Sequence, residues 1–200
     1  MTPPPVVILA GGASRRMGGM DKGLMLLANR PLLAHVIDRI APQTTALALN
    51  TNGPAGDYVR FGLPILPDAL PDRPGPLAGV LTAIDWALGQ GAECVVTVPA
   101  DTPFLPGDLL PRLMLAAETA TGAPVLAQSA GRLHPVVGLW PVAWRDTLAE
   151  ALQAGTRRMM EFAESAGATA VAFPATDPDP FFNVNTPEDL ARAEGALQKK

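Results

Sequence analysis

Near its start, the 200-residue chain runs from Val6-Val7-Ile8-Leu9-Ala10 straight into Gly11-Gly12-Ala13-Ser14-Arg15-Arg16-Met17-Gly18-Gly19-Met20-Asp21-Lys22-Gly23. Five glycines, two arginines and one lysine fall within the thirteen residues after the apolar run. Glycine permits positive φ and close backbone approach, so successive N–H groups can converge on an anion. Arg15, Arg16 and Lys22 supply the positive charge a triphosphate needs. The spacing is neither G-x-x-x-x-G-K-[ST], since Gly23 follows Lys22, nor G-x-G-x-x-G. The alternative is a surface turn with solvated cations; the position directly after a first strand favours an anion cradle.

A second candidate is Asp101, three residues past the strand-like run Cys94–Val98 and before Pro103. A carboxylate at a strand's carboxyl end, opposite a glycine loop, suits Mg²⁺, which takes one or two protein carboxylates and fills its remaining sites with phosphate and water. An Asx turn initiating the loop accounts for the residue type equally well. Asn50, followed by Thr51-Asn52-Gly53, places amides where they can read a base or ribose edge. Gly75-Pro76-Leu77-Ala78-Gly79 turns into a helix whose first N–H groups are free. Arg157 and Arg158, after Gly155 with Thr156 as N-cap, can clamp a phosphate or balance Glu161 and Glu164. Asn183 and Asn185 alternate in an extended segment, so both face one side, toward a polar heterocycle or toward loop backbone. His134, before Pro135, reads as a packed structural histidine. His35, among Leu32, Leu33, Val36 and Ile37, reads the same way.

The elements that must position these groups are short apolar runs alternating with helical patterns. Strands are predicted at Val6–Ala10, Ala46–Asn50, Pro64–Leu66, Cys94–Val98, Pro124–Ala127, Pro135–Leu139 and Thr169–Phe173. Helices are predicted at Pro31–Ile40, Leu77–Leu88, Leu109–Ala120, Val142–Gln153, Arg157–Ala166 and Pro187–Leu197. The last carries Thr186 as N-cap, Pro187 at the first helical position and Asp189 closing a capping box. Continuous apolar strands belong in a sheet covered on both faces, and their alternation with helices implies a doubly wound, mostly parallel α/β sheet. Ligands of such sheets bind outside the carboxyl ends of the strands. Ala55–Tyr58 and Thr176–Pro180 read as loops.

Composition narrows the classes. Apolar residues make up 48% and charged residues 17%, enough for a core, and the length suits a single domain over 1–200. The 22 prolines and 19 glycines punctuate the chain and form no tracts. A net charge of −4 argues against a nucleic-acid surface. One cysteine, Cys94, leaves no intrachain disulfide, and two histidines leave little for a zinc centre. No apolar run approaches the roughly 18–20 residues of a membrane span, and Met1-Thr2-Pro3-Pro4-Pro5 has no basic n-region. The expectation is a soluble cytoplasmic protein without nucleic-acid or membrane partners.

L-A-G-G-x-x-x-R-M-G-G-x-D-K-G, from Leu9 to Gly23, resembles the signature loop of molybdenum cofactor guanylyltransferases, nucleotidyltransferases with a Rossmann-like fold. Five further blocks follow in that family's order: Gly75–Gly79, Pro99–Pro106, Arg132–Val136, Arg157–Met159 and Phe181–Glu188. The resemblance implies a sheet of the nucleotide-diphospho-sugar transferase type, an N-terminal part binding nucleotide and a C-terminal part binding the acceptor. It implies transfer of GMP from GTP to the terminal phosphate of molybdopterin, with or without bound molybdenum, and release of pyrophosphate. By the same resemblance Asp101 holds Mg²⁺, Lys22 and Arg16 neutralise the departing pyrophosphate, and the backbone of Leu9, Ala10, Gly11 and Gly12 cradles the nucleotide. Asn50, Asp68 and Gly79 join the nucleotide site, although Asp68 also reads as a solvated acid beside Asp72. Arg157, Asn183 and Asn185 are assigned to the acceptor.

Related cytidylyltransferases typically carry Ala-Ala-Gly where this chain has Ala10-Gly11-Gly12, and lack the intact Gly75–Gly79 loop; both features resemble the GTP-using branch. The competing expectations are CTP in place of GTP, another phosphorylated acceptor, or a GTP-binding module that delivers cofactor without chemistry. Transient contact with molybdoenzymes or other cofactor-biosynthesis proteins is expected from the resemblance alone.

Overall fold

The apolar run at the start of the chain serves two cores at once: Val6 and Ile8 point into one, Val7 and Leu9 into the other. A strand with side chains buried on both faces must lie inside a covered sheet. A computed structural model, describing residues 2–10, 21–70 and 75–198, places it there. In chain order, β1 spans Val6–Leu9, and Leu26–Leu27 (β2) with Arg30–Pro31 (β3) leads into α1 (Leu32–Ile40). Then come β4 (Leu47–Asn50), β5 (Ile65–Leu66), α2 (Pro76–Gly89), β6 (Cys94–Pro99) and α3 (Leu109–Ala117). The C-terminal half holds β7 (Val125–Ser129), β8 (Arg132–Pro141), α4 (Arg145–Gln153), α5 (Met159–Ser165), β9 (Thr169–Phe173) and α6 (Pro187–Leu197).

The main sheet has the order β5-β4-β1-β6-β8-β7-β9. Only β8 runs against its neighbours; β1 pairs parallel with β4 and β6, β4 with β5, and β7 with β9. From β1 the chain winds outward to β4 and β5, then returns to β6 on the other side of β1. The order therefore reverses between β1 and β6, and the crevice outside their carboxyl ends is where such sheets hold ligands. α1 and α3 cover one face through Leu33, Val36, Ile40, Leu109, Leu110 and Leu113. α2, α4 and α5 cover the other through residues such as Leu77, Ile84, Leu148 and Phe162. A small third core of Met25, Leu27, Leu32, Phe104, Val184 and Ala193 joins the β2–β3 hairpin to α6.

The predicted strands and helices are all present, with three differences. β7 and β8 extend toward each other and close a tight antiparallel hairpin through Ala130 and Gly131, whose φ values of 46° and 75° are the left-handed pair that such a turn requires. His134 thus sits within a strand. β2 and β3 form a second hairpin with Ala28 and Asn29 at φ 49° and 62°. α5 starts at Met159 with Arg158 at its N-cap position, so Thr156 does not cap it. The capping box of α6 forms as expected, Thr186 accepting from the Asp189 N–H and Asp189 accepting from the Thr186 N–H.

Gly138 is where β8 meets β7 most closely. A Cβ there would stand 2.6 Å from Leu126 Cδ2 and 2.8 Å from the Val125 carbonyl oxygen, beside a register shift between Leu126 and Ala127. The carbonyl is backbone and cannot rotate away. Gly138→Ala is expected to cost about 1–3 kcal/mol, read as a lower urea midpoint with an unchanged slope. Among the described residues no helix is long and apolar enough to cross a membrane.

Candidate active site

Asp101 follows β6, and its backbone carbonyl accepts from the Val184 N–H at 2.9 Å, which brings the C-terminal segment over the strand ends. The Asp101 side chain is 15% exposed, and its Oδ1 is fully buried without a hydrogen-bond partner among the described residues. Buried polar atoms are ordinarily satisfied, so an orphaned carboxylate oxygen at a ligand crevice needs an explanation. Burial pushes the Asp101 carboxyl above the usual carboxylate range; Lys22 opposes that shift and Asp21 adds to it. Lys22 Nζ lies 3.8 Å from Asp101 Oδ2 and donates to Asn185 Oδ1 at 2.5 Å.

Local structure explains why Lys22 reaches this place. Asp21 caps the single 3-10 turn Lys22–Leu24, its Oδ1 accepting from the Gly23 N–H at 2.9 Å. Gly23 rests on the end of β6: a Cβ there would be 3.1 Å from Ala100 Cβ. Tyr58 donates its hydroxyl hydrogen to Asp21 Oδ2. Asn185 is held from the other side, since its N–H and that of Thr186 both donate to Asp189 Oδ2 at 3.0 Å, at the start of α6. Asn183 is tied to the same loop by Thr102, whose hydroxyl donates to Asn183 Oδ1 at 3.2 Å. Asn183 and Asn185 are both exposed while Val184 between them is buried, so the two amides do share a face.

A second cluster lies at the ends of β1, β4 and β5. The Ala10 N–H donates to the Asn50 carbonyl at 2.8 Å, and the Ala100 N–H to the Leu9 carbonyl at 3.1 Å. Asn50 Nδ2 donates to the Leu66 carbonyl at 3.0 Å and to Asp68 Oδ1 at 2.8 Å, so both amide hydrogens are used inside the protein. Asp68 Oδ2 accepts from Asn52 Nδ2 at 2.7 Å, and Asn52 Oδ1 accepts from the Asp68 N–H. Asp68 is therefore the centre of a fixed amide network, no solvated loop acid. Gly79 lies against this network, since an added Cβ would be 2.7 Å from Asn50 Oδ1 and 3.1 Å from Leu9 Cδ2.

Other candidates are placed differently. Arg157 Nη1 donates to the carbonyls of Leu152 and Thr156 at 2.8 and 3.0 Å, tying it to the end of α4. Gly11, Gly12 and Arg16, with Arg15, lie outside the described residues. His35 donates to or accepts from nothing catalytic; its Nε2 meets the Leu27 carbonyl at 2.9 Å. His134 Nε2 is 2.7 Å from Ser129 Oγ, which donates to Asp179 Oδ1 at 2.9 Å. A hydroxyl has one hydrogen and a carboxylate only accepts, so the network assigns the Nε2–H tautomer to His134. In that tautomer His134 cannot take a proton from Ser129, and the trio is not a nucleophilic triad. Burial pushes the His134 imidazole below its usual value, and its ring packs 4.7 Å from that of Phe181.

Sequence reasoning did not single out Tyr58, Asp21 or Thr102 for the site. Asp21 was legible as the residue before the loop lysine. Tyr58 and Thr102 gave no local signal, because each acts through a contact 37 or 81 residues away.

The residues 6–170 match the family model of the MobA-like NTP transferase domain. A protein of Cereibacter sphaeroides named molybdenum cofactor guanylyltransferase is 50% identical over 193 residues, covering 96% of each chain. The crystal structure of molybdopterin-guanine dinucleotide biosynthesis protein A from Archaeoglobus fulgidus superposes with a TM-score of 0.76 at 23% identity, covering 98% of this chain and 100% of that one. The 4-diphosphocytidyl-2C-methyl-D-erythritol synthase of Anaerococcus prevotii superposes equally well, at 0.76, with 12% identity and coverage of 98% and 96%. At such identities the two superpositions speak for the fold alone.

Proposed function

The chain belongs to the MobA-like NTP transferase family, and we propose from that premise that it transfers GMP from GTP to the terminal phosphate of molybdopterin. It is a nucleotidyltransferase of molybdenum cofactor biosynthesis. The observation that carries the site reading is the position of Lys22, whose ammonium lies between Asp101 and Asn185 at the point where the strand order reverses.

An oxygen of the acceptor's phosphate bonds to the α-phosphorus of GTP. The bond from that phosphorus to the oxygen bridging to the β-phosphate breaks, and its electron pair leaves with pyrophosphate. A phosphate monoester, with a second pKa of about 6, is already an anion at neutral pH and needs no strong base. The chemistry left to the protein is placement of two anions and neutralisation of the charge on the leaving group. Lys22 meets that charge, with Arg16 assigned the same task. Asp101 is the residue fitted to hold a divalent cation, read as Mg²⁺, since its buried Oδ1 has no hydrogen-bond partner among the described residues. When bound, such a cation supplies positive charge to the triphosphate oxygens. Asn183 and Asn185 are assigned to present their amides to the acceptor. Arg157 is assigned to the acceptor as well, through the guanidinium nitrogens not used at the end of α4.

Leu9, Ala10, Gly11, Gly12, Asn50, Asp68 and Gly79 form the nucleotide side in this reading. Gly79→Ala tests it, because the new methyl drives Asn50 Oδ1 away and disturbs the tie to Asp68. The expected result is at least about a tenfold rise in the dissociation constant for MgGTP, by calorimetry, with little change in affinity for the acceptor. We read residues 1–200 as one domain with an N-terminal nucleotide part and a C-terminal acceptor part. The bonds from Val184 to Asp101 and from Lys22 to Asn185 support treating the parts as one unit. The cytoplasm, which supplies GTP, is the assigned compartment, and handing the product to molybdoenzymes belongs to the same proposal. The reaction is tested by incubating the protein with MgGTP and molybdopterin. A dinucleotide product with one pyrophosphate per turnover supports it; stable GTP binding without pyrophosphate release means a delivery module instead.

A further inference from the structure

Tyr58 is the chain's only tyrosine, lies in the connection from β4 to β5, and is 1% exposed. Its hydroxyl ends on Asp21 Oδ2, while Asp21 Oδ1 accepts from the Gly23 N–H, so both oxygens of that carboxylate are engaged. Gly53 leaves room for the phenol: a Cβ there would stand 3.1 Å from Tyr58 Cε2 and 3.2 Å from its hydroxyl oxygen. Asp21 is a negative charge immediately before Lys22, in a site built for a triphosphate. Left free, it would pair with the Lys22 ammonium and repel the incoming phosphates at short range. Burial pushes the Tyr58 phenol well above its usual value, with the bond to Asp21 acting in the same direction.

We propose that Tyr58 is a positioning residue for the nucleotide: its buried hydroxyl restrains the Asp21 carboxylate inside the protein and so leaves Lys22 available to the triphosphate. This inference rests on the nucleotide-site reading above. It assigns a task to the connection from β4 to β5. The charge of Asp21 is the quantity under restraint, so removing the phenolic oxygen matters only while that charge is present.

The test is a cycle of Tyr58→Phe and Asp21→Asn read by MgGTP affinity, with urea unfolding to verify that each variant is folded. Tyr58→Phe alone is expected to weaken MgGTP binding at least about tenfold, the scale of a hydrogen bond to a charged group. In the Asp21→Asn background the same change is expected to alter affinity less than about twofold. A readout independent of both variants is the single resonance of [¹³Cζ]tyrosine in the parent protein, expected to shift when MgGTP saturates the site. Equal losses in both backgrounds, unchanged affinity in Tyr58→Phe, or a resonance that does not move would each overturn the proposal and leave Tyr58 a core residue. A parent protein that binds no MgGTP at all overturns the nucleotide-site reading together with it.

Discussion

Asp101→Asn is expected to lower turnover by at least about a hundredfold while leaving the protein folded. The substitution keeps the shape of the side chain and removes its charge, so it tests charge directly. The Asp101 carboxylate is 15% exposed, and among the described residues one of its oxygens has no hydrogen-bond partner and its counter-charge is Lys22 at 3.8 Å. Burying an ionised group on these terms is unfavourable, as the upward push on its pKa indicates. The variant is therefore expected to melt at or above the parent temperature at neutral pH, so lost activity cannot be ascribed to unfolding. Such a trade is typical of groups kept for function at the expense of stability. Metal-dependent MgGTP binding should fall with turnover, because Asp101 is the carboxylate proposed to hold the cation. Turnover within a few-fold of the parent would remove Asp101 from the reaction.

Lys22→Met is the second large effect, again at least about a hundredfold in kcat/KM. Methionine retains much of the apolar stem and removes the ammonium that joins Asp101 and Asn185. Three consequences are expected from the proposed roles. The leaving pyrophosphate would lose its counter-charge, which is expected to lower kcat. Asp101 loses the positive group that favours its ionised form. Asn185, proposed to face the acceptor, loses its bond from Lys22, which is expected to raise KM for the acceptor. Lys22→Arg is expected to recover only part of the activity, since a planar fork does not replace a compact charge held at one point. The measurement is steady-state pyrophosphate release with GTP and acceptor varied separately. A rise in KM for GTP alone, with kcat intact, would make Lys22 a binding residue only.

Much of the framework was legible from residue patterns. The run Val6–Ala10, the strand ahead of Asp101 and the capping box Thr186-Pro187-Glu188-Asp189 each carry their structure locally. The two hairpins were not legible, because Ala28 and Ala130 occupy left-handed positions that alanine does not advertise, where Asn-Gly would have. The antiparallel course of β8 follows from the second of those turns. At the site, sequence order placed Lys22 and Asp101 after their strands, and the structure brings them within an ion pair of each other. The bond from Lys22 to Asn185 joins residues 163 apart and has no local signature. The same holds for the amide network of Asn50, Asn52 and Asp68, in which side chains expected to face a ligand satisfy one another. Pattern reading assigns residue types to chemistry; it does not say which donors the fold has already spent.

Guanylyl transfer to a pterin phosphate is read out by pyrophosphate release with MgGTP or MgCTP in the presence of molybdopterin. The sequence departs from the cytidylyltransferase pattern at Ala10-Gly11-Gly12, and base preference is measured on this chain directly. Release with GTP at least about tenfold faster than with CTP, a difference near 1.4 kcal/mol, is the predicted result. Release that is faster with CTP, or absent with both nucleotides when the acceptor is intact, would contradict it.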